Sequence, residues 1–327
     1  MSRVDRKLDQ AARAAWMYYV AGKTQHEIAD VLGVSRQAAQ RLVALASESG
    51  LVRVSIVHPV AGCTALSQQL ARQFGLSVCR VVPSAGMDSI SLNRMIAVAG
   101  AELMLQFIDQ EQPQVIAVGS GRALRSTINE LPQLDRPQHS CVSLIGAIAS
   151  DGSCTRYDVP LWMAEKTQGK YFILPAPLFA DNATDKELWC NHRIYRMVTD
   201  KAAQADVTFI GIGQMNLHCP LHYDGFISSE EVQRLTEAGV VAEIVGHFIG
   251  QDGRRVPSAL DQRLTSVTIN VRPDKPVIAF AGGAEKYPAI RAVLNGGWLT
   301  GLVTDEETAI KLLAVPGPTV SPTPGRE

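Results

Sequence analysis

The stretch VIAVGSGRALRSTINEL, residues 115–131, decides how most of this chain folds. Val115–Val118 is an uninterrupted apolar run, the pattern of a strand buried on both faces. Gly119-Ser120-Gly121 then makes a tight turn, and a helical pattern opens at Arg122. A strand running through glycines straight into a helix is half of a βαβ unit. Backbone N–H groups at such a helix start point outward and favour an anion or a hydroxyl oxygen. The motif fits neither the P-loop nor the dinucleotide pattern, and many strand–helix turns use glycine with no ligand. The strand–loop–helix context therefore makes Gly119, Ser120, Gly121 and Arg122 candidate ligand-binding residues, with Arg125 as a second source of positive charge.

Working outward, apolar runs alternate with helical stretches. Strands are expected at 78–82, 115–118, 141–145, 207–212, 277–281 and 302–304, and helices at 88–108 and 185–203. This alternation predicts a doubly wound α/β domain with a largely parallel sheet. Glycines follow three of the strands, at Gly119/Gly121, Gly211/Gly213 and Gly282/Gly283. Ligands of open α/β sheets sit at the carboxyl ends of strands, so these loops are expected to line one pocket.

The first 56 residues follow a different rule. Leu8, Ala12, Ala15 and Tyr19 recur at helical spacing and predict a helix over 5–20. Thr24 with Glu27 forms a capping box for a second helix, whose inner side is read as Ile28, Val31 and Leu32. Gly33 permits a tight turn and Ser35 caps a third helix. On that helix Ala38, Ala39, Leu42, Leu45 and Ala46 share one side; Arg36, Gln37, Gln40, Arg41 and Ala44 share the other. Arg can fork onto guanine and Gln can pair with adenine, so the outer side has the chemistry of a recognition helix. The alternative is a solvated face of a small bundle. The candidate DNA-contacting set is Thr24, Gln25, Ser35, Arg36, Gln37, Gln40 and Arg41. LVRVSIV, residues 51–57, reads as a short strand, a wing or a linker.

The whole chain has 327 residues, 46% of them hydrophobic, and a net charge of −1. Residues 1–56 hold eight Lys/Arg against five Asp/Glu, a net +3, which leaves −4 for the rest. The positive bias lies on the module with the recognition chemistry. Six cysteines stand at 63, 79, 141, 154, 190 and 219 without a Cys-x-x-Cys pair, and the polar start MSRVDRKLDQ is no signal peptide. Free thiols in a reducing cytoplasm are expected, with no membrane segment. The domain organisation expected is residues 1–56 for DNA, 57–315 for a ligand, and a disordered Pro-rich tail at 316–327.

Three stretches carry a resemblance. AWMYYVAGKTQHEIADVLGVSRQAAQRLV and the GLVRVSI strand after it resemble the helix-turn-helix module of the SorC/DeoR-type family of bacterial sugar-responsive transcription regulators. FAGGAEKYPAIRAVLNGGWLTGLVTDEETAIKLL is similar to that family's A-G-G-x-x-K and L-x-T-D-E signature, and EAGVVAEIVGHFIGQDGRRV to its G-D-I-x-G-x-F run. The resemblance covers nearly the whole chain. It implies an effector domain resembling sugar-phosphate isomerases, and effector contacts from Gly282, Gly283, Lys286 and Glu243. Glu243 stands where an Asp is usual, and Ala123 replaces the Thr of the family's G-x-G-x-T loop. One lost hydroxyl weakens the case for a phosphorylated effector and brings in a free sugar or polyol. The resemblance also implies homotetramers, a dimer of dimers, on operator DNA. No metal and no cofactor is expected, because His218, Cys219 and His222 flank a Pro without a second ligand pair. His218, His222 and Asp224 are nonetheless placed near the effector by their loop. Gln251-Asp252-Gly253 reads as a hairpin turn, and Ser228 with Glu231 as a capping box.

The competing reading is an isomerase- or deaminase-like enzyme with a DNA module attached. GIGQMNLH loosely resembles the amino-sugar phosphate deaminase loop, but Gln214-Met215 occupies the place of its Asp-Gly. Without that carboxylate the proton transfer has no agent, so a regulator is the expected function.

Overall fold

The structure, a computed structural model, describes residues 3–52, 61–146, 148, 152–153 and 159–317. The chain divides into two compact units, Met1–His58 and Pro59–Glu327. The strand expected at 51–57 and the tail expected to be disordered fall mainly on residues 53–60 and 318–327, outside the described residues.

The first unit holds α1 (Arg3–Tyr19), α2 (Gln25–Leu32) and α3 (Arg36–Glu48). Thr24 and Glu27 form the expected capping box, and Gly33 takes φ 63° at the turn. Ser35 Oγ accepts from the Ala38 N–H at 3.2 Å and starts α3. The inner face of α1 differs from the expected one. Ala11, Ala14, Ala15 and Met17 are buried, while Ala12 and Tyr19 are exposed. Small side chains let α1 lie close against Ala39, Val43 and Ala46 of α3, which rotates the face. Val31 is corrected too. It is 60% exposed, because Ala29 shares the inner side with Ile28 and Val31 lies about 200° around the helix from Ala29.

In the second unit the strands are β1 (Val78–Val82), β2 (Val115–Val118), β3 (Ser140–Ser143), β4 (Lys170–Phe172), β5 (Val207–Gly211), β6 (Gly213–Gln214), β7 (Val240–Ile244), β8 (His247–Gly250), β9 (Val277–Phe280) and β10 (Gly301–Asp305). The helices are α4 (Ala61–Phe74), α5 (Ser89–Ile108), α6 (Arg122–Asn129), α7 (Val159–Thr167), α8 (Ala183–Asn191), α9 (Arg193–Ala203), α10 (Pro220–Tyr223), α11 (Ser229–Glu237), α12 (Tyr287–Asn295) and α13 (Glu306–Leu313). Every expected strand is found, with ends moved by at most two residues. The helix expected over 185–203 is two helices. His192 leaves the helical conformation with ψ 136°, and its ring accepts from the Ile194 N–H to start α9.

Seven strands form a parallel sheet in the order β1-β10-β9-β5-β2-β3-β4. Ile116, Val118, Phe209, Ile278 and Phe280 pack on one face with Leu103, Met104, Leu124 and Met163 of α5–α7. Ala117, Ile210 and Ala279 point to the other, toward Leu70, Val198, Ile290 and Leu312 of α4, α9, α12 and α13. Alternate strand residues thus feed two cores, and the domain is doubly wound. From β2 the chain moves one way through β3 and β4, then returns to the other side of β2 with β5. That reversal opens a crevice beyond the carboxyl ends of β2 and β5. The strands β6, β7 and β8 form a separate antiparallel sheet, in which Gly213 pairs with Glu243. The turn at 251–253 closes as expected, the Gly250 N–H bonding Arg254 O at 2.9 Å.

No helix among the described residues is long and apolar enough to cross a membrane. The five described cysteines are unpaired thiols.

His247 on β8 is only 3% exposed. Burial, helped by the Arg255 charge and opposed by Asp261, pushes its pKa down to about 4. Between that value and 6.5 the unfolded chain binds the proton that the folded chain refuses, so stability falls as pH drops through this window. His247→Leu removes the effect. Urea unfolding at pH 7 and near pH 4.5 is expected to show the native chain losing about 2–3 kcal/mol more than the variant. Equal losses would mean His247 is not held neutral.

Candidate functional site

The crevice at the strand reversal holds a cavity of about 60 Å³. Ser120, Gly121, Arg122 and Ala123 reach it from the β2–α6 turn, and Gly211, Ile212 and Gly213 from the end of β5. The two turns touch through their backbones. Gly121, at φ 133°, caps α6 in a conformation that disfavours a side chain, and a Cβ on Gly211 would strike the Ser120 carbonyl oxygen. Glu243 and Val245 enter from β7 and its turn, and Lys286 from the turn after β9. Ile145, Leu178, Ile210, Leu221 and Phe226 give the remaining wall its apolar character.

Lys286 Nζ donates to the carbonyl oxygen of Ile212 at 2.8 Å. Burial and the nearby Arg122 charge push its pKa down to about 8, against the pull of Glu243. Glu243 is shifted the other way: burial raises it, partly offset by the Gly246 N–H at 2.5 Å and by Lys286. The pocket therefore presents an ammonium and a carboxyl group together, the first shifted down and the second shifted up by burial. Such a pair can donate to one hydroxyl and accept from the next. The start of α6 and the exposed Arg122 add positive potential at the mouth.

Of the residues singled out in the sequence, Ser120, Gly121, Arg122, Glu243 and Lys286 meet at this cavity. Gly119, Gly282 and Gly283 do not line it. Gly119 is buried behind the turn, its N–H bonded to Phe209 O. The Gly283 N–H donates to Asp305 Oδ2 at 2.7 Å, and Gly282 lies so close to that carboxylate that a Cβ would strike it. Asp305 also caps α13 through the Thr308 N–H, so one carboxylate joins the turn that carries Lys286 to the last helix. Arg125 is not on the wall; its guanidinium stacks over Trp162. Asp224 is on the wall, but the His222 ring is turned to Leu217 O and Ser229 Oγ. No group of three potential metal ligands occurs among the described residues. Gln214 is buried and is not among the pocket residues.

In the first unit Arg36, Gln37, Gln40, Arg41 and Ala44 are all exposed along one side of α3. Gln25 is half-buried at the start of α2. The hydroxyls of Thr24 and Ser35 are engaged in their caps, which fixes the ends of α2 and α3.

Residues 58–314 match the sugar-binding domain family, and residues 10–58 the MarR family. The erythritol catabolism regulatory protein EryD of Brucella abortus is 35% identical over 306 residues, covering 94% of this chain and 96% of that protein. The transcriptional regulator LsrR of Klebsiella pneumoniae is 31% identical over 318 residues, covering 93% and 92%. The crystal structure of the full-length sorbitol operon regulator SorC from Klebsiella pneumoniae aligns with a TM-score of 0.74 at 26% identity, over 96% of this chain and 99% of that one. These likenesses run through both units and agree with the recognition helix and the switch-point pocket: the chain belongs to the SorC/DeoR-type family of sugar-responsive bacterial transcriptional regulators.

Proposed function

We propose that this regulator is controlled by a free short-chain polyol held between Lys286 and Glu243. The observation that carries the reading is the convergence of these two groups on one small cavity at the strand reversal. About 60 Å³ accepts roughly four to six water-sized groups, the scale of a short hydroxylated chain rather than a disaccharide. Ala123 supplies a methyl group where a phosphate-binding hydroxyl would help, and Glu243 repels a phosphate. The name of the Brucella relative, a regulator of erythritol catabolism, supports a tetritol or pentitol.

Residues 1–56 read operator DNA through Arg36, Gln37, Gln40 and Arg41, with Thr24, Gln25 and Ser35 setting the helix ends. Residues 57–315 bind the effector, which Gly119, Gly282 and Gly283 serve by shaping the turns beneath it. One such module covers one half-site, so two or more copies act together, in our reading a cytoplasmic homotetramer built as a dimer of dimers. The effector favours one arrangement of the subunits and so changes affinity for spaced half-sites. The chain is a binder and not an enzyme: where deaminases carry a proton-transferring carboxylate it has Gln214, buried away from the pocket.

A thermal-shift comparison of tetritols, pentitols, hexitols and the phosphate ester of each tests the effector. A ligand at a hundred times its Kd stabilises the folded state by about 2.7 kcal/mol. Stabilisation by a free polyol is expected. Stabilisation by phosphate esters alone would overturn the free-polyol reading and assign the Ser120–Arg122 turn to phosphate.

A further inference from the structure

We propose that Arg6 and Lys7, at the start of α1, form with Arg41 of α3 a clamp for the phosphate backbone of DNA beside the recognition helix. The inference rests on the reading of the outer side of α3 as the DNA-facing one. Tyr19 Oη and Ser47 Oγ lie 3.4 Å apart, at the C-terminal ends of α1 and α3. Between these ends the helices pack through Ala11, Ala14 and Ala15 of α1 and Ala39, Val43 and Ala46 of α3. Arg6 and Lys7 share a groove with Arg41 and Ala44 of the outer side of α3, the helix that enters the major groove in helix-turn-helix proteins.

Between the two helices runs an open groove of about 930 Å³. Arg6, Lys7 and Gln10 line it from α1, and Val34, Ala38 and Arg41 from the opposite wall. Three cations face one carboxylate, that of Glu48. Among the described residues none of the three cations has an ion-pair partner, whereas Arg13, further along α1, is paired with Asp9 at 3.0 Å. Unpaired, exposed cations on a floor of short apolar side chains suit a polyanion that passes over them. Duplex DNA offers one phosphate about every 3.4 Å along each strand, so a single strand can meet more than one of these side chains. The division of labour follows from position: Arg36, Gln37 and Gln40 face the base edges, while Arg6 and Lys7 flank them and fix the register. The MarR family match begins at residue 10, so both flanking residues precede it.

The test is the salt dependence of binding by the full-length protein to a labelled duplex of random sequence, roughly 40 base pairs, in about 50–300 mM KCl. Removing one phosphate-neutralising cation lowers the slope of log K against log salt by about 0.9, so Arg6→Ala/Lys7→Ala is expected to lower it by about one to two. Arg6→Lys/Lys7→Arg is expected to keep the native slope, and so is Arg13→Ala, which removes a charge outside the groove. An unchanged slope in the alanine double variant overturns the clamp. So does an equal drop in Arg13→Ala, which would mean diffuse charge only. So does a changed sedimentation coefficient with the native slope, which would assign the groove to a second copy of the chain. Failure of the DNA-facing reading itself is distinguishable, since the native protein would then show no salt-dependent binding at all.

Discussion

Lys286→Met is expected to abolish the response to effector while leaving operator binding within about twofold of native, since α3 lies in the other unit. Met keeps the length of the stem but removes the charge and all donors. Hydrogen bonds to a charged group contribute about 1.5–3 kcal/mol, so the effector binds roughly ten- to more than a hundredfold more weakly. The fold is expected to survive. Burial already holds the Lys286 pKa near 8, so the ammonium is costly there, and an apolar replacement relieves that cost. A second readout separates a direct role in binding from a packing role. If the ammonium donates to effector hydroxyls, native affinity falls as pH rises through about 8, where the proton leaves. Lys286→Arg keeps its charge above that value, and its affinity stays level. A normal effector-induced thermal shift in Lys286→Met would remove the residue from the binding site.

Much of the scaffold around Lys286 is legible in the sequence because it is set locally. The caps at Thr24, Ser35, Ser228 and Asp305 join residues three apart, so a reader of the chain sees both partners. The strands β2, β5 and β9 are buried on both faces and appear as apolar runs, broken only by Thr208 in β5. β4 escapes notice because it is a three-residue edge strand with one exposed and two half-buried side chains. β7 and β8 pair by a tight turn at Val245–Gly246 that carries none of the usual Asn-Gly or Asp-Gly signals. The break at His192 depends on a ring nitrogen acting as a cap, which residue type does not announce.

The pocket divides in the same way. Its glycine turns follow from strand–loop–helix order, and strand order alone then says they meet. Glu243 and Lys286 stand out through family resemblance, not through periodicity, since a lone Glu or Lys reads equally as surface. The apolar wall is invisible beforehand. Ile145, Leu178, Ile210 and Phe226 look like core residues, and only the tertiary fold leaves space in front of them. Gly282 and Gly283 illustrate the opposite error of emphasis. Their sequence signature draws the eye to the ligand, yet they lie against Asp305. They shape the turn that presents Lys286.

Arg36→Ala/Gln40→Ala is expected to remove the preference of the protein for its operator. Both side chains are exposed on α3 and lie near its N-terminal end, where base edges are reached. One bidentate pairing of Arg with guanine or Gln with adenine discriminates by about 1–3 kcal/mol, so removing two together gives roughly thirtyfold to more than a thousandfold. Neither residue supports the fold. The Ser35 cap remains and Ala favours a helix more than either native residue, so the melting temperature is expected to stay within a few degrees. The effector-induced thermal shift is expected to be unchanged. The measurement compares affinity for a site selected by the native protein from randomised DNA with affinity for random duplex. Base reading predicts that the ratio collapses while random-sequence binding loses no more than the one charge of Arg36. A phosphate-binding role for Arg36 and Gln40 predicts instead that both affinities fall together and the ratio survives. In that case the base-reading contact of α3 would have to be sought at Gln37.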